Sequence, residues 1–181
     1  HARSLDLRTM GIGLNIMELG NTAAANDDLE TATECYGYVA AKGIGSPYFY
    51  TARNELLQVR FHALTKETPP NFDGLTLLEE DYVASIRDLG VKSETAIMLK
   101  NQAHILAFFL DRGDEGMEIL EEVLNIAGLN LRVGAACKLE LGDIYVFEDL
   151  VWDASLIFSQ VILDFKDDPL GHEAKYRNAR I

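Results

Sequence analysis

Apolar residues recur along this chain every three or four positions, the spacing that places side chains on one face of an α-helix. Residues 5–25 and 28–41 form the first pair of such segments, and Gly43 closes the second of them. The pattern then repeats to the end of the sequence, with turn residues between the segments. It predicts an all-α fold of nine helices that stack as successive antiparallel pairs, with no sheet.

Turn and cap residues divide the pattern into four repeats and a half repeat, about 5–41, 47–89, 93–127, 131–165 and 170–181. Ser46 and Pro47 predict the start of the second pair, because serine caps a helix and proline fits its first turn. Ser93 is the predicted cap of the third pair. Two prolines in residues 68–74 predict a loop there, followed by a helix from Leu75. The half repeat is predicted to begin its helix near Gly171.

Small and apolar residues also recur at one constant offset of 122 positions. Seven pairs keep this register: Leu19 and Leu141, Gly20 and Gly142, Ala32 and Ala154, Tyr36 and Phe158, Val39 and Val161, Pro47 and Pro169, and Ala52 and Ala174. Small residues are needed where two helix backbones approach closely, so the register predicts a repeated helix packing.

The order Leu141-Gly142-x-x-Tyr145, then Ala154-x-x-x-Phe158, resembles the tetratricopeptide repeat (TPR). The match is imperfect, since Ala23 stands in the position of Tyr145. The resemblance implies an α-α superhelix that serves as a protein-interaction scaffold and has no catalytic residues.

The phrases that begin Ser46-Pro47 and Asp168-Pro169 are similar to inter-repeat segments of TPR proteins from bacterial envelopes. That similarity implies a periplasmic or outer-membrane-associated protein, with the cytoplasm as the alternative. A second function stays open on the same resemblance, a glycan or small-molecule receptor of the bacterial envelope built on helical repeats.

The balance of charge narrows the choice of partners. The formal net charge is −13, which argues against nucleic acid and anionic membranes, because both repel an acidic surface. Apolar runs stay short of the 18 or more residues of a membrane span. The chain opens on His1 and ends inside a repeat, so we expect further repeats of the same protein beyond it.

Candidate catalytic and metal-binding residues do not combine into a site. The histidines His62, His104 and His172 fall in different repeats, and Asp111 begins a calcium-like loop that lacks an oxygen ligand at Gly113. We therefore predict no catalytic residues, no metal and no cofactor. The two cysteines, Cys35 and Cys137, are predicted to be buried free thiols, because their places in the repeat do not favour a disulfide.

Aromatic residues offer the main support for the receptor alternative. Exposure of Tyr48, Tyr50 and Phe72 as one patch would favour a receptor, and their burial would favour a scaffold. Filling of the core is the prediction for the run of three aromatic residues that begins at Tyr48. Trp152 is likewise predicted to pack between helices.

A protein or peptide partner is predicted to bind the concave side, which the first helix of each pair lines in stacked helical repeats. Residues one turn from the packing positions should face it: Met17, Asn21, Glu55, His62, Lys100, Asp111, Leu139, Asp143 and Val146. Three carboxylates against one lysine make this surface mildly acidic. A neutral or basic extended segment is therefore expected to bind better than an acidic one.

Overall fold

The computed structural model describes the backbone from Ala2 to Ile181 and the side chains from Gly11 onward. Within that range it has nine α-helices and no strand, which confirms the predicted all-α fold. None of these helices is both long and apolar enough to cross a membrane. The helices are α1 (Ala2–Ala25), α2 (Leu29–Ala40), α3 (Phe49–Thr65), α4 (Phe72–Leu89), α5 (Ala96–Phe109), α6 (Gly113–Leu124), α7 (Leu131–Phe147), α8 (Val151–Asp164) and α9 (Pro169–Asn178).

Polar side chains fix the starts of three of these helices. Asp28 caps α2, because its Oδ1 accepts a hydrogen bond from the Thr31 amide at 3.1 Å. Asn130 accepts from the first amides of α7. Asp168 accepts from the Leu170 amide at 3.0 Å and is followed by a proline in the first turn of α9, so this helix begins two residues before the predicted Gly171.

Two of the predicted helix starts were wrong because a turn precedes the helix. Ser46 accepts a hydrogen bond from the Tyr48 amide within a turn, and α3 begins only at Phe49. Ser93 does not cap α5, since its hydroxyl oxygen accepts from the Asn130 amide at 3.3 Å. Thr95 instead precedes α5, and its hydroxyl donates to the Gly90 carbonyl at 2.7 Å.

The proline-containing loop is shorter than predicted. The side chain of Asn71 accepts from the Gly74 amide at 2.8 Å, and α4 begins at Phe72 instead of Leu75. An asparagine in this place supplies an acceptor for an otherwise unpaired amide, so it can start a helix directly after the prolines.

The chain forms two compact units, which divide inside α4 after Gly74. In unit 1, α1 packs on α2 and α2 packs on α3. The core of this unit is formed by buried residues of those three helices, Met17, Ala23, Ala32, Tyr36, Val39, Ala52 and Val59.

Unit 2 runs from Leu75 to Ile181. Consecutive helices from α5 to α9 pack on one another, and α7 also contacts α5 and α9, the first helices of the neighbouring pairs. One core cluster of this unit contains Ala135, Leu139, Ala154, Phe158, Val161 and Ala174.

The packing register predicted from the sequence is present in both units. A Cβ added at Gly20 would lie 2.7 Å from the ring of Tyr36, and one added at Gly142 would lie even closer to the ring of Phe158. Glycine is therefore required at the equivalent position of the first helix in each pair, because an aromatic ring of the second helix lies against it there.

Leu19 and Leu141 are the matched pair whose burial differs. Leu141 is 2% exposed in α7, which packs on α5 and α6 as well as on α8, whereas Leu19 of α1 is 55% exposed.

Trp152 departs from its prediction. Its side chain is 88% exposed at the start of α8, so the expectation that it packs between helices was wrong.

Candidate binding surface on the first helices of unit 2

Three first helices of unit 2, α5, α7 and α9, form a continuous surface through the contacts of α7 with the other two. Side chains one or two turns apart project from each helix onto it. We name this the first-helix surface and define it by Lys100, His104, Phe108, Glu140, Asp143, Phe147, Glu173 and Arg177.

Glu140 is the centre of one charged cluster on this surface. Lys100 lies 3.3 Å from one of its carboxylate oxygens, and Nδ1 of His104 lies 2.7 Å from the other. A carboxylate only accepts, so Nδ1 of His104 carries the hydrogen. Burial acts to raise the pKa of Glu140, but the hydrogen bond from His104 and the charge of Lys100 together outweigh it and lower the pKa. Glu140 therefore stays ionised and holds α5 to α7.

Arg177 is the centre of a second cluster that joins α7 to α9. It donates hydrogen bonds to Asp143 and, at 2.9 Å, to Glu173. It also reaches the backbone carbonyl of Leu139 at 3.4 Å. Burial raises the pKa of Asp143 more than Arg177 lowers it, and the nearby charges of Glu140 and Glu173 add to the increase. The two carboxylates of α7 are thus shifted in opposite directions, although they lie one turn apart.

A row of rings borders the Glu140 cluster. The ring of His104 lies 4.9 Å from that of Phe108, and Phe108 meets Phe147 edge-on at 5.2 Å. Phe147 is 57% exposed, and Val146 beside it is 37% exposed. The row therefore crosses from α5 to α7 and presents an apolar ring to solvent next to paired charges.

The predicted partner-binding residues of unit 2 separate into three groups. Lys100 and Asp143 belong to the first-helix surface, and Val146 borders its aromatic end. Leu139 is 5% exposed and packs in the core. Asp111 lies in the turn between α5 and α6, where it adopts a φ of 56°.

The predicted residues of unit 1 have other roles. Met17 is 4% exposed and packs in the core. Asn21 is exposed and accepts a hydrogen bond from the Tyr36 hydroxyl at 2.8 Å. Burial raises the pKa of Glu55, which accepts from the Asn54 side chain. His62 is exposed and lies 3.1 Å from Asp27.

The aromatic residues that supported a receptor do not form one exposed patch. Tyr48 is half-buried and packs against the core of unit 1, as a core-filling role predicts. Phe49 and Tyr50 meet edge-on at 5.3 Å and are half-buried as well. Phe72 is 48% exposed.

The thiols of the described residues are buried, and their potential metal ligands are not grouped. No group of three His, Cys, Asp or Glu side chains in this part of the chain is placed to hold a metal ion. Glu115, four residues after the Asp111 that begins the calcium-like loop, accepts two hydrogen bonds of 2.6 Å from Arg112. Cys35 and Cys137 are buried free thiols, as predicted. Burial raises the pKa of Cys137 to about 11, so its reactive thiolate form is suppressed.

Sequence reasoning missed six residues of the first-helix surface: His104, Phe108, Glu140, Phe147, Glu173 and Arg177. Their spacing was a usable signal. Residues 100, 104 and 108 fall on one helix face, as do residues 140, 143 and 147. Pairing across helices was not evident, because it depends on which helices become neighbours.

No protein-family model matches this sequence, and no curated protein matches it. Solved structures do resemble the fold. One is a tetratricopeptide repeat protein from Parabacteroides merdae, with a TM-score of 0.56 and 13% identity over 92% of this chain. This chain spans 58% of the length of that protein.

A second similar structure contains the nearly identical TPR-like repeats from Podospora anserina that are assigned to a kinesin light chain. It has a TM-score of 0.56 and 18% identity, and the match covers 92% of this chain and 83% of that one. At these identities the likeness concerns the fold. The chain therefore has the TPR-like α-α solenoid fold that its repeated Leu-Gly and Ala-x-x-x-aromatic positions predicted.

Proposed function

We propose that this protein is a non-catalytic scaffold and that its first-helix surface binds a segment of a protein partner. The TPR-like solenoid fold supports the general role, because helical repeats of this kind offer extended surfaces for protein interaction. The exposed ring of Phe147 is the observation that supports this position for the binding surface. It lies against Phe108, beside two clusters of paired charges.

Phe147 has the properties of an interaction anchor. Aromatic residues at the centre of an interface often contribute much of the binding free energy, particularly where polar groups surround them. Its edge-on contact with Phe108 already restricts the ring, so less rotational freedom is lost on binding. An apolar side chain of the partner is expected to cover it.

The charges favour a partner segment of low net charge. Glu140 is neutralised by Lys100 and His104, while Asp143 and Glu173 share Arg177. The surface then has three carboxylates against Lys100 and Arg177, so it is only slightly acidic. Exposed ion pairs contribute only about 0–1 kcal/mol each, so apolar contact should decide the affinity.

The test begins with a photo-crosslinking amino acid at position 147 of the full chain. The same amino acid at Leu77 is a matched control, since Leu77 is 59% exposed on α4 of the same unit. Mass spectrometry of crosslinked peptides identifies the partner segment that contacts position 147. That segment is then synthesised and titrated by calorimetry against the parent, Phe147→Ala and Leu77→Ala.

We expect Phe147→Ala to weaken binding at least about tenfold, or ~1.4 kcal/mol, and Leu77→Ala to bind like the parent. Equal affinities for the parent and Phe147→Ala would overturn the proposed surface. A crosslinked segment that binds equally well to both alanine variants would place the partner elsewhere on the protein.

A further inference from the structure

The second helix of the last pair, α8, carries an exposed apolar stripe. Trp152, Leu156 and Leu163 are 88%, 63% and 79% exposed. Their separations of four and seven residues place all three on one helix face over about three turns. The opposite face of α8 holds the buried Ala154, Phe158 and Val161, so the stripe points away from the core of unit 2.

Such a stripe is uncommon on a folded domain. Single exposed apolar residues are ordinary, but three large ones in a row, including an almost fully exposed tryptophan, typically mark a site of interaction. Tryptophan is also among the residues that most often dominate binding.

The charged side chains that α8 itself places beside the stripe are both acidic. Asp153 and Asp164 lie along one edge of it, eleven residues apart on α8. Asp164 is 59% exposed even though Lys138 of α7 lies 3.4 Å away. Helix α8 itself contains no lysine, arginine or histidine.

Helix α6 extends this acidic character. It too contains no basic residue, and it exposes Asp114, Glu115, Glu118, Glu121 and Glu122. The hydroxyl of Tyr145 on α7 donates to Glu121 at 3.2 Å. Burial raises the pKa of this tyrosine, and the charges of Glu121 and Asp153 raise it further. The acidic side chains of α6 therefore extend as far as α7, on which α8 packs.

We propose that this stripe is a second docking surface, which binds a basic amphipathic helix of a protein partner. Three apolar side chains of that helix would cover Trp152, Leu156 and Leu163, and lysine or arginine residues beside them would face Asp153 and Asp164. The surface is separate from the aromatic row of α5 and α7, so a scaffold could hold two partners.

Charge argues for this occupant over a second copy of the chain. The sequence carries a formal net charge of −13, and pairing two stripes would bring two acidic edges together. A basic helix satisfies both the apolar and the acidic part of the surface. Because electrostatic attraction would contribute to this binding and salt screens it, the affinity should fall at higher salt.

Trp152 provides the measurement, because it is the only tryptophan of the chain. The probes are two synthetic helical peptides with leucines spaced like the stripe, one with lysines at the flanking positions and one with glutamates. Each is titrated into the full chain while Trp152 emission is recorded. We expect the lysine peptide to shift the emission to shorter wavelength and to bind at least about tenfold more tightly than the glutamate peptide.

A double serine variant and a charge reversal with its matched control separate docking on the stripe from general attraction to an acidic protein. Leu156→Ser with Leu163→Ser keeps every charge and should weaken binding of the lysine peptide at least about tenfold. Asp153→Lys should weaken it more than Asp88→Lys, which makes the same change of charge at an exposed position of α4. Sedimentation of the parent checks whether copies of the chain associate.

Equal binding of the two peptides would overturn the proposal, and so would unchanged binding by the double serine variant. Self-association that the same serine variant abolishes would also overturn it, because a second copy would then be the occupant. Failure of these tests would not bear on the proposed binding surface at Phe147, so the two surfaces are judged independently.

Discussion

The first helix pair of unit 1 and the last helix pair of unit 2 share their packing but differ on their surfaces. Gly20 lies against Tyr36 in α1 and α2, and Gly142 lies against Phe158 in α7 and α8. Ala32 and Ala154 are fully buried in the equivalent place. The same residue types therefore recur where two backbones meet, because close approach leaves few alternatives.

The surfaces differ at positions that the same register makes equivalent. In unit 1 the Tyr36 hydroxyl donates to Asn21. In unit 2 a phenylalanine replaces the tyrosine and Asp143 replaces the asparagine, so that carboxylate accepts from Arg177 instead. The position equivalent to Arg177 in unit 1 is Glu55. One packing scheme thus supports a neutral hydrogen bond in one unit and an ion pair between helices in the other.

The largest predicted effect tests the shared packing. Gly142→Ala places a methyl group less than 3.0 Å from the buried ring of Phe158, and Gly20→Ala does the same at Tyr36. Both rings are almost fully buried, so each variant should lose about 1–3 kcal/mol of unfolding free energy through overpacking, measured by urea denaturation.

Gly37→Ala is the matched control, because a Cβ there meets nothing within 4 Å inside α2. Replacing a helical glycine by alanine without a clash should stabilise the chain, by up to about 1 kcal/mol. If Gly20→Ala behaved like this control while Gly142→Ala was costly, the two pairs would not be equivalent.

The fold could be predicted from the sequence because its determinants are local or periodic. Helical spacing gave nine helices, and the constant offset gave the positions of the small residues. Helix starts were less certain, as Ser46 and Ser93 show, because a serine can cap a helix or accept a bond in a turn or from another segment.

The candidate site was only partly predictable. Lys100 and Asp143 were found from their helix positions, but Met17 and Leu139 lie in the core. Choosing between core and surface requires knowing which neighbouring helix covers each face. The exposure of Trp152 was missed for the same reason, since a large apolar residue is expected to be covered.

A smaller effect tests the hydrogen bond that is specific to unit 1. Tyr36→Phe creates the aromatic residue found in unit 2 and removes the 2.8 Å bond to Asn21. We expect a loss of about 0.5–1.5 kcal/mol in unfolding free energy, near the low end because the exposed Asn21 can bond to water instead.

A double-mutant cycle with Asn21→Ala isolates this bond. Tyr36→Phe should cost clearly less in the Asn21→Ala background than in the parent. An equal cost in both backgrounds would mean that the hydroxyl stabilises unit 1 through other neighbours.

The smallest effect concerns how stability depends on pH at the ion pairs of unit 2. The pKa of Glu140 is lowered in the folded chain, so Glu140 contributes stability that is present above its ordinary value of 4.5 and is lost as the pH falls. The pKa of Asp143 is raised, so its contribution is present below its ordinary value of 3.8 and is lost as the pH rises through the folded value. The two carboxylates should therefore act in opposite directions over the same acid range.

Glu140→Gln and Asp143→Asn remove these two contributions separately while keeping similar side-chain shapes. Unfolding free energies of the parent and both variants, measured from neutral pH down into the range below pH 4.5, should give two differences of opposite slope. Relative to the parent, Glu140→Gln should lose less stability as the pH falls, because it no longer has a proton to bind. Asp143→Asn should lose more, because the parent gains from protonating that half-buried carboxyl. Differences with the same slope would mean that Arg177 outweighs burial at Asp143, and that both charged clusters of the first-helix surface behave as ordinary ion pairs.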